Sequence, residues 1–164
     1  MTITIYFSMR YFGAGSYAIS ASSDGTWSFL DVARNSTLCT VSSPSLSSSG
    51  ISSNGNGYLS AQFHPDGIMI GCGTHSGIVR IWDVREQANV GNCDSGASDT
   101  ELGVSSRAGA NGVSSLSFSE NGYILAAGYE NGYARLWDLR KLKCSKRYEG
   151  GTYPPMVFMF LLIY

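Results

Sequence analysis

The chain carries little charge, few cysteines and no catalytic signature. Asp, Glu, Lys and Arg make up 14% of its 164 residues and sum to a net charge of −1. Nucleic-acid and membrane-surface binders usually show a strong basic excess, so this balance argues against both. The four cysteines, Cys39, Cys72, Cys93 and Cys144, form no C-x-x-C pair, and the two histidines, His64 and His75, stand far from any cysteine pair. That spacing supports no zinc site. Cys72 lies in an apolar run and reads as a small buried hydrophobe, and the thiols read as reduced, in an intracellular protein. The alternating start, residues 1–7, lacks the basic region that opens a signal peptide. The apolar run 156–164 is nine residues long, less than half of the roughly 20 that cross a bilayer as a helix. There is no G-x-S-x-G, no Walker-type Gly-Lys-Ser/Thr and no H-E-x-x-H. The sequence therefore names no catalytic, cofactor-binding or metal-binding residue and calls for no cofactor.

Glycine (20 residues), serine and aromatics (12%) are present in quantity, a composition suited to an all-β protein with many turns. The glycines fall into a repeat. Phe63-His64-Pro65-Asp66-Gly67 runs on to Gly77, Arg80-Ile81-Trp82-Asp83 and Arg85; Phe118-Ser119-Glu120-Asn121-Gly122 runs on to Gly132, Arg135-Leu136-Trp137-Asp138 and Arg140. At an offset of 55, residues 63–85 and 118–140 align without a gap and share 8 of 23 positions. A weaker copy lies upstream at an offset of 52, with Gly25 as turn glycine and Leu30-Asp31-Val32 in place of Trp82-Asp83-Val84. In all three copies the Asp follows the turn Gly by six residues: Gly25 to Asp31, Gly77 to Asp83, Gly132 to Asp138.

Each copy reads as short strands punctuated by turns. In the second copy these are 59–63, the His64-Pro65-Asp66-Gly67 turn, the apolar run 68–72, the turn at 74–77, strand 78–82, and the start of an outer strand at 87–90. The period of two places Val79 and Ile81 on one face of strand 78–82, Arg80 and Trp82 on the other. The third copy repeats this order, with strands 113–118, 123–128, 133–137 and 143–148 and Asn-Gly turns at 121–122 and 131–132, a strong hairpin signal. Four strands per unit with Trp-Asp closing the third is the pattern of a β-propeller blade. The expected fold is therefore all-β: a partial propeller of three four-stranded antiparallel blades, not closed.

The wording of the second and third blades resembles the C-terminal WD-repeat propeller of the pre-mRNA-processing factor 19 family. The resemblance is carried by residues 61–67 (AQFHPDG), 78–84 (IVRIWDV), 87–90 (QANV), 117–123 (SFSENGY) and 135–143 (RLWDLRKLK). It is close over 58–90 and 113–148 and weak over 11–41. It implies a substrate- or partner-binding scaffold of a U-box E3 ubiquitin ligase that works in the nucleus, in pre-mRNA splicing and DNA repair. Its partners would be subunits of the spliceosome-associated complex or ubiquitination substrates. In that family ubiquitin transfer belongs to an N-terminal U-box, and oligomerisation to further regions; this chain shows neither.

The pattern is departed from in several places. The Gly-His pair expected before each first strand is missing, so Trp82 and Trp137 must rely on packing, and the turn Asp survives only as Asp24, with Ser76 and Asn131 in the matching positions. The domain reading is a degenerate first blade (1–41), a Ser/Gly-rich linker (42–57), a second blade (58–90), a polar insertion (91–111), a third blade (112–149), and a further blade's start or a foreign apolar tail (150–164). The linker and insertion have compositions that favour solvated disorder. Two readings stay open for 91–111, a mobile insertion or an altered reading frame. Since propellers typically close with about four to eight blades, the chain reads as a fragment or as a piece completed by partner chains.

The function expected is non-catalytic protein binding. Candidate contact residues lie in the loops between second and third strands: Ser23 and Asp24; Thr74, His75 and Ser76; Tyr129, Glu130 and Asn131. Trp82, Asp83, Trp137, Asp138, Asp31, Gly25, Gly77 and Gly132 read as structural repeat positions. His64 reads as a turn residue. The basic run at 140–147, five of eight residues, reads as a solvated outer strand that discourages edge pairing, with a phosphate or acidic-partner contact as the sharper alternative. Two other functions compete: a truncated product without independent function, and a propeller-type enzyme, which the missing acid/base constellation disfavours.

Overall fold

The computed structural model describes residues 5–12, 15–42, 57–94 and 112–149. The linker 43–56, most of the insertion and the tail 150–164 lie outside the described residues, so the readings made for them stand as expectations. The described residues form twelve strands in three four-stranded antiparallel sheets. The first sheet holds β1 (Ile5–Phe12), β2 (Gly15–Ser22), β3 (Thr26–Asp31) and β4 (Ser36–Ser42); the second β5 (Tyr58–Phe63), β6 (Met69–Thr74), β7 (Ile78–Asp83) and β8 (Ala88–Asp94). The third holds β9 (Val113–Phe118), β10 (Ile124–Tyr129), β11 (Tyr133–Asp138) and β12 (Lys143–Glu149). Each sheet is an up-and-down meander in chain order. β1 lies beside β5, and β5 beside β9, so the inner strands line up while the sheets fan outward as an open array of three blades. One boundary needs correction: the polar insertion assigned to 91–111 begins later, because Gly91–Asp94 completes β8. The residues Asn89, Val90 and Asn92 are exposed there, and an outer strand covered on one side needs no apolar signal, which hid its length.

The repeat is structural at every turn. The carboxylate of the Trp-Asp position caps the tight turn after the third strand in all three blades. Asp31 Oδ1 accepts from the Arg34 N–H (3.0 Å), Asp83 Oδ1 from Arg85 and Glu86 (2.7 and 3.1 Å), and Asp138 Oδ1 from Arg140 (3.0 Å). The last turn residue then takes a left-handed conformation in each blade, at Asn35, Gln87 and Leu142 (φ 50, 54 and 51°). A register shift recurs at the same repeat position, between Phe29 and Leu30, Ile81 and Trp82, and Leu136 and Trp137. These devices survive in the first blade although Leu30 has replaced the Trp, because they depend on the Asp and the backbone. The indole N–H groups of the buried Trp27 and Trp82 have no hydrogen-bond partner among the described residues.

The alternation expected for β7 is observed, and it divides the core. Val79 and Ile81 face the third blade, packed with Phe118, Leu125, Tyr129 and Trp137; Trp82 faces the first blade, packed with Ile19, Trp27, Tyr58, Phe63 and Ile70. Cys72 is fully buried in this second cluster, and burial pushes its thiol far above its usual range. Across the first seam the rings of Trp27 and Trp82 lie 5.8 Å apart, and Phe29 meets Phe63 edge-on at 6.1 Å. Across the second seam the contact is closer, because blade two offers glycines: a Cβ on Gly71 would stand 2.9 Å from the Phe118 ring, and one on Gly73 2.7 Å from Val113.

Two polar bonds tie the second and third blades together. Ser60 Oγ donates to the Val113 carbonyl at 2.8 Å, and His64 Nε2 lies 2.9 Å from the Gly122 carbonyl. His64 is therefore more than a turn residue. Its ring is buried edge-on against Phe118 at 5.1 Å, its Nδ1 lies 3.0 Å from the Asp66 carboxylate and 3.2 Å from the Asp66 backbone nitrogen, and its Nε2–H donates to the Gly122 carbonyl across the seam. Turn chemistry alone gave no sign of a bond spanning 58 residues.

Two substitutions should move stability in opposite directions. Gly73→Ala places a methyl group against Val113 and Ser60 in the seam and should cost about 1–3 kcal/mol, read as a lower melting temperature. Gln87→Gly relieves the left-handed turn of an exposed residue and should raise stability by up to about 1 kcal/mol.

Candidate functional site

The three loops singled out in the sequence are the turns joining β2 to β3, β6 to β7, and β10 to β11. Each closes on its own polar side chains. Asp24 Oδ1 accepts from the Thr26 N–H (2.9 Å) and hydroxyl (2.7 Å). These bonds, the hydroxyl of Thr26 foremost, hold the Asp24 carboxyl below its usual value. Asn131 Oδ1 accepts the Tyr133 N–H at 3.2 Å, and the Ser76 hydroxyl is 2.9 Å from that of Thr74. The surviving Asp24 and its replacements at Ser76 and Asn131 thus perform one local task, pinning a hairpin turn.

The fold brings the loops to one end of the array through the entry residues of the second and third blades. The His75 N–H donates to the Gly57 carbonyl at 3.0 Å, and the Glu130 N–H to that of Gly112 at 2.9 Å. Gly57 is wedged where the first and second blades meet: a Cβ there would overlap the Ser23 carbonyl and stand 3.0 Å from His75 Cδ2. Ser23 and His75 are therefore neighbours although 52 residues separate them. Gly112 sits likewise between Leu59 and Glu130, whose Oε2 accepts the Gly112 N–H at 3.1 Å. The sequence reading placed Gly57 at the end of the linker and Gly112 at the start of the third blade, with no role for either; their signal is position, one residue before each first strand.

Burial divides the eight candidates. Asp24, Glu130 and Asn131 are exposed, while Ser23, His75 and Ser76 are half-buried. Thr74 and Tyr129 are buried, which removes both from any contact surface. Thr74 Oγ1 donates to the Ile78 carbonyl at 2.8 Å and accepts its N–H at 3.1 Å, locking the loop base. Tyr129 lies beneath the Arg135 guanidinium, 5.3 Å from its ring, and burial drives its hydroxyl pKa well above the ordinary value. The six accessible candidates offer two carboxylates, one imidazole and three neutral polar side chains. Such a set can recognise a polypeptide by hydrogen bonds and charge. Among the described residues no group of three His, Cys, Asp or Glu side chains could hold a metal ion, and no helix is long and apolar enough to cross a membrane.

A family model described as Nucleolar protein 10-like, N-terminal domain, a β-propeller, matches residues 42–158. Among curated proteins, the Pre-mRNA-processing factor 19 homolog 2 of Arabidopsis thaliana is 42% identical over 132 residues, 80% of this chain and 21% of the relative. The Pre-mRNA-processing factor 19 of Oryza sativa subsp. japonica is 39% identical over 141 residues, 86% of this chain and 21% of its own length. That of Dictyostelium discoideum is 35% identical over 127 residues, 77% of this chain and 20% of the relative. The chain thus spans about a fifth of the length of these relatives, and a match over 141 of its 164 residues reaches into the first blade as well as the two blades that carry the Trp-Asp pair.

The wedge at Gly57 makes a testable demand. Gly57→Ala should force the Ser23 and His75 loops apart and cost about 1–3 kcal/mol, with the largest amide chemical-shift changes at residues 22–26 and 74–77. Unchanged shifts in both loops would show that they do not meet at this glycine.

Proposed function

The chain belongs to the β-propeller family described as Nucleolar protein 10-like, N-terminal domain, and from that premise we propose that it is a non-catalytic WD-repeat scaffold that binds proteins of a pre-mRNA-processing complex. The observation that carries the proposal is the convergence of Ser23, Asp24, His75, Ser76, Glu130 and Asn131 at one end of rigid blades. A rigid scaffold that presents short polar loops recognises a partner without the ordering cost that free loops would carry. The names of the relatives supply the process: they are pre-mRNA-processing factors. Action in the nucleus, in splicing and in DNA repair goes with that reading, as does service as the substrate- or partner-binding region of a U-box ubiquitin ligase. In such an enzyme the U-box would recruit the charged E2, and this chain would contribute binding alone. Neither histidine favours an enzymatic role, since His64 is held in a seam and His75 against a loop backbone.

Two measurements test this reading. The chain, immobilised and incubated with nuclear extract, should retain identified pre-mRNA-processing proteins, and Asp24→Lys with Glu130→Lys should weaken that retention at least about tenfold, the equivalent of 1.4 kcal/mol. Retention of none of them, or equal retention by the double variant, overturns the proposal. With E1, E2, ubiquitin and ATP, residues 1–164 should form no ubiquitin conjugates; conjugates would overturn the non-catalytic assignment.

A further inference from the structure

The two outermost faces of the array differ in chemistry. Residues directly paired across antiparallel strands share one face of the sheet. On the first blade Trp27 and Phe29 pack toward the second, so the cross-strand row of Ser20, Ser28 and Thr40 faces away from it. The hydroxyls of Ser28 and Thr40 lie 2.9 Å apart, and such a face hydrates readily. On the third blade Leu125, Ala127 and Trp137 pack toward the second. The rows through Ala126 and Leu136, and through Gly128 and Ala134, therefore face away. Small apolar residues line this face, and among the described residues no further sheet stands beyond it.

The outer face of the third blade repeats a face that is occupied. At the offset of 55, Gly71, Gly73, Val79 and Ile81 of the second blade correspond to Ala126, Gly128, Ala134 and Leu136. In the second blade these positions receive the inner strand of the next blade. The Phe118 ring lies against Gly71 and Val113 against Gly73, with Val79 and Ile81 packed in the same cluster. A stripe of small residues means little alone; here its counterpart one blade away shows the shape it accepts, an extended strand with bulky apolar side chains.

The chain carries such a strand within reach. Every outer strand ends at the loop end of its blade: Ser42 pairs with Thr26, Asp94 with Ile78 and Glu149 with Tyr133. The next inner strand begins at that same end, at Tyr58 and at Val113. After Glu149, residues 150–155 lead to the nine uncharged residues MVFMFLLIY at 156–164, outside the described residues. The inner strands β5 and β9 need only six residues each. Recrossing three strand spacings of about 4.8 Å and stepping over one sheet spacing of about 10 Å requires roughly 17 Å. The chain from Glu149 to Met156 extends to about 23 Å.

We propose that residues 156–164 dock on the outer face of the third blade as an apolar strand beside β9. Bulky side chains stand over Gly128 and Ala126 as Val113 and Phe118 stand over Gly73 and Gly71. The third blade thereby gains the cover that the second receives from its neighbour, while the hydroxyl-lined face of the first blade needs none. The inference does not rest on the scaffold reading, since this face is not the loop end.

The test combines melting temperatures with methyl NMR of the whole chain. On an uncovered face Gly128→Val enters empty space and suits a strand, so it raises the melting temperature. Beneath a docked segment the new side chain overpacks, and a fall of at least about 3 °C is expected. In the unsubstituted chain, nuclear Overhauser contacts are expected from the methyl groups of Ala126 and Leu136 to those of 156–164. Phe158→Asp with Leu161→Asp, which leaves every residue of the blades in place, should abolish those contacts and lower the melting temperature by a similar amount. Ser28→Lys, on the outer face of the first blade, should change neither. A mixture of labelled and unlabelled chains separates contacts within a chain from contacts between copies. A melting temperature that Gly128→Val raises or leaves unchanged, absence of the contacts from the unsubstituted chain, or contacts only between copies each overturns the proposal. The contact measurement needs no substitution, so it decides the matter even if a variant fails to fold. The scaffold reading stands or falls separately, on Asp24→Lys with Glu130→Lys, which leaves this face untouched.

Discussion

The structure depends on sheet-against-sheet burial that no single blade can complete. A four-stranded antiparallel sheet with apolar side chains on both faces has no stable solitary form in water, because one face always remains to be covered. Here β7 sends Val79 and Ile81 one way and Trp82 the other, so the middle blade serves as the partner of both neighbours. The two seams reach this end by different routes. The first is filled by bulk, with Trp27 placed against Trp82. The second is filled by approach, with Gly71 and Gly73 letting Phe118 and Val113 lie almost on the β6 backbone. A large side chain in one seam and two missing side chains in the other are alternative solutions to one packing problem.

That arrangement explains why so much of the repeat is insensitive to its most visible residue. The Trp at the Trp-Asp position is absent from the first blade, yet the Asp cap, the register shift and the left-handed turn at Asn35 all remain. The aspartate acts within its own turn through backbone N–H groups, whereas the tryptophan acts through the neighbouring sheet. Loss of the second therefore leaves the first undisturbed, and the first blade meets Trp82 of its neighbour with Trp27 from the same strand that carries Leu30. The His64 bond to Gly122 and the Ser60 bond to Val113 add direction to what is otherwise non-directional packing, and fix how far one blade slides on the next.

Function in such a fold is positional. The loops are short and internally hydrogen-bonded; Gly57 brings Ser23 to His75, and Gly112 binds Glu130, so exposed Asp24 and Glu130 and half-buried His75 stand at the same end of their blades although they come from three separate turns. A groove at the other end of the seam between the second and third blades is a by-product of the same stacking: where two sheets splay apart toward their outer strands, the hollow between them is lined by whatever the β8 edge and the turn after β11 present, here Val90, Leu142 and Arg140. Chemistry requiring an acid, a base or a metal would need side chains converging on a point. Among the described residues Asp24, Asp31, Asp66, Asp83 and Asp138 hold turns, and His64 holds a seam.

The sequence alone determined the local features. The spacing of turn glycines, the alternation in residues 78–82 and the constant six-residue step from Gly to Asp specify strands, hairpins and blades, because each is set by backbone conformation within a few residues. The strand at 113–118 and the faces of Val79 and Trp82 were legible for this reason. What the tertiary structure decided is everything that crosses between blades. Thr74 and Tyr129 sit in loops by sequence but are buried by their neighbours; His64 reads as a turn residue until the third blade brings Gly122 to it; and Ser23 meets His75 only because Gly57 leaves room. Such contacts join residues more than 50 positions apart, and their energy depends on shape and distance in three dimensions, which no one-dimensional pattern records.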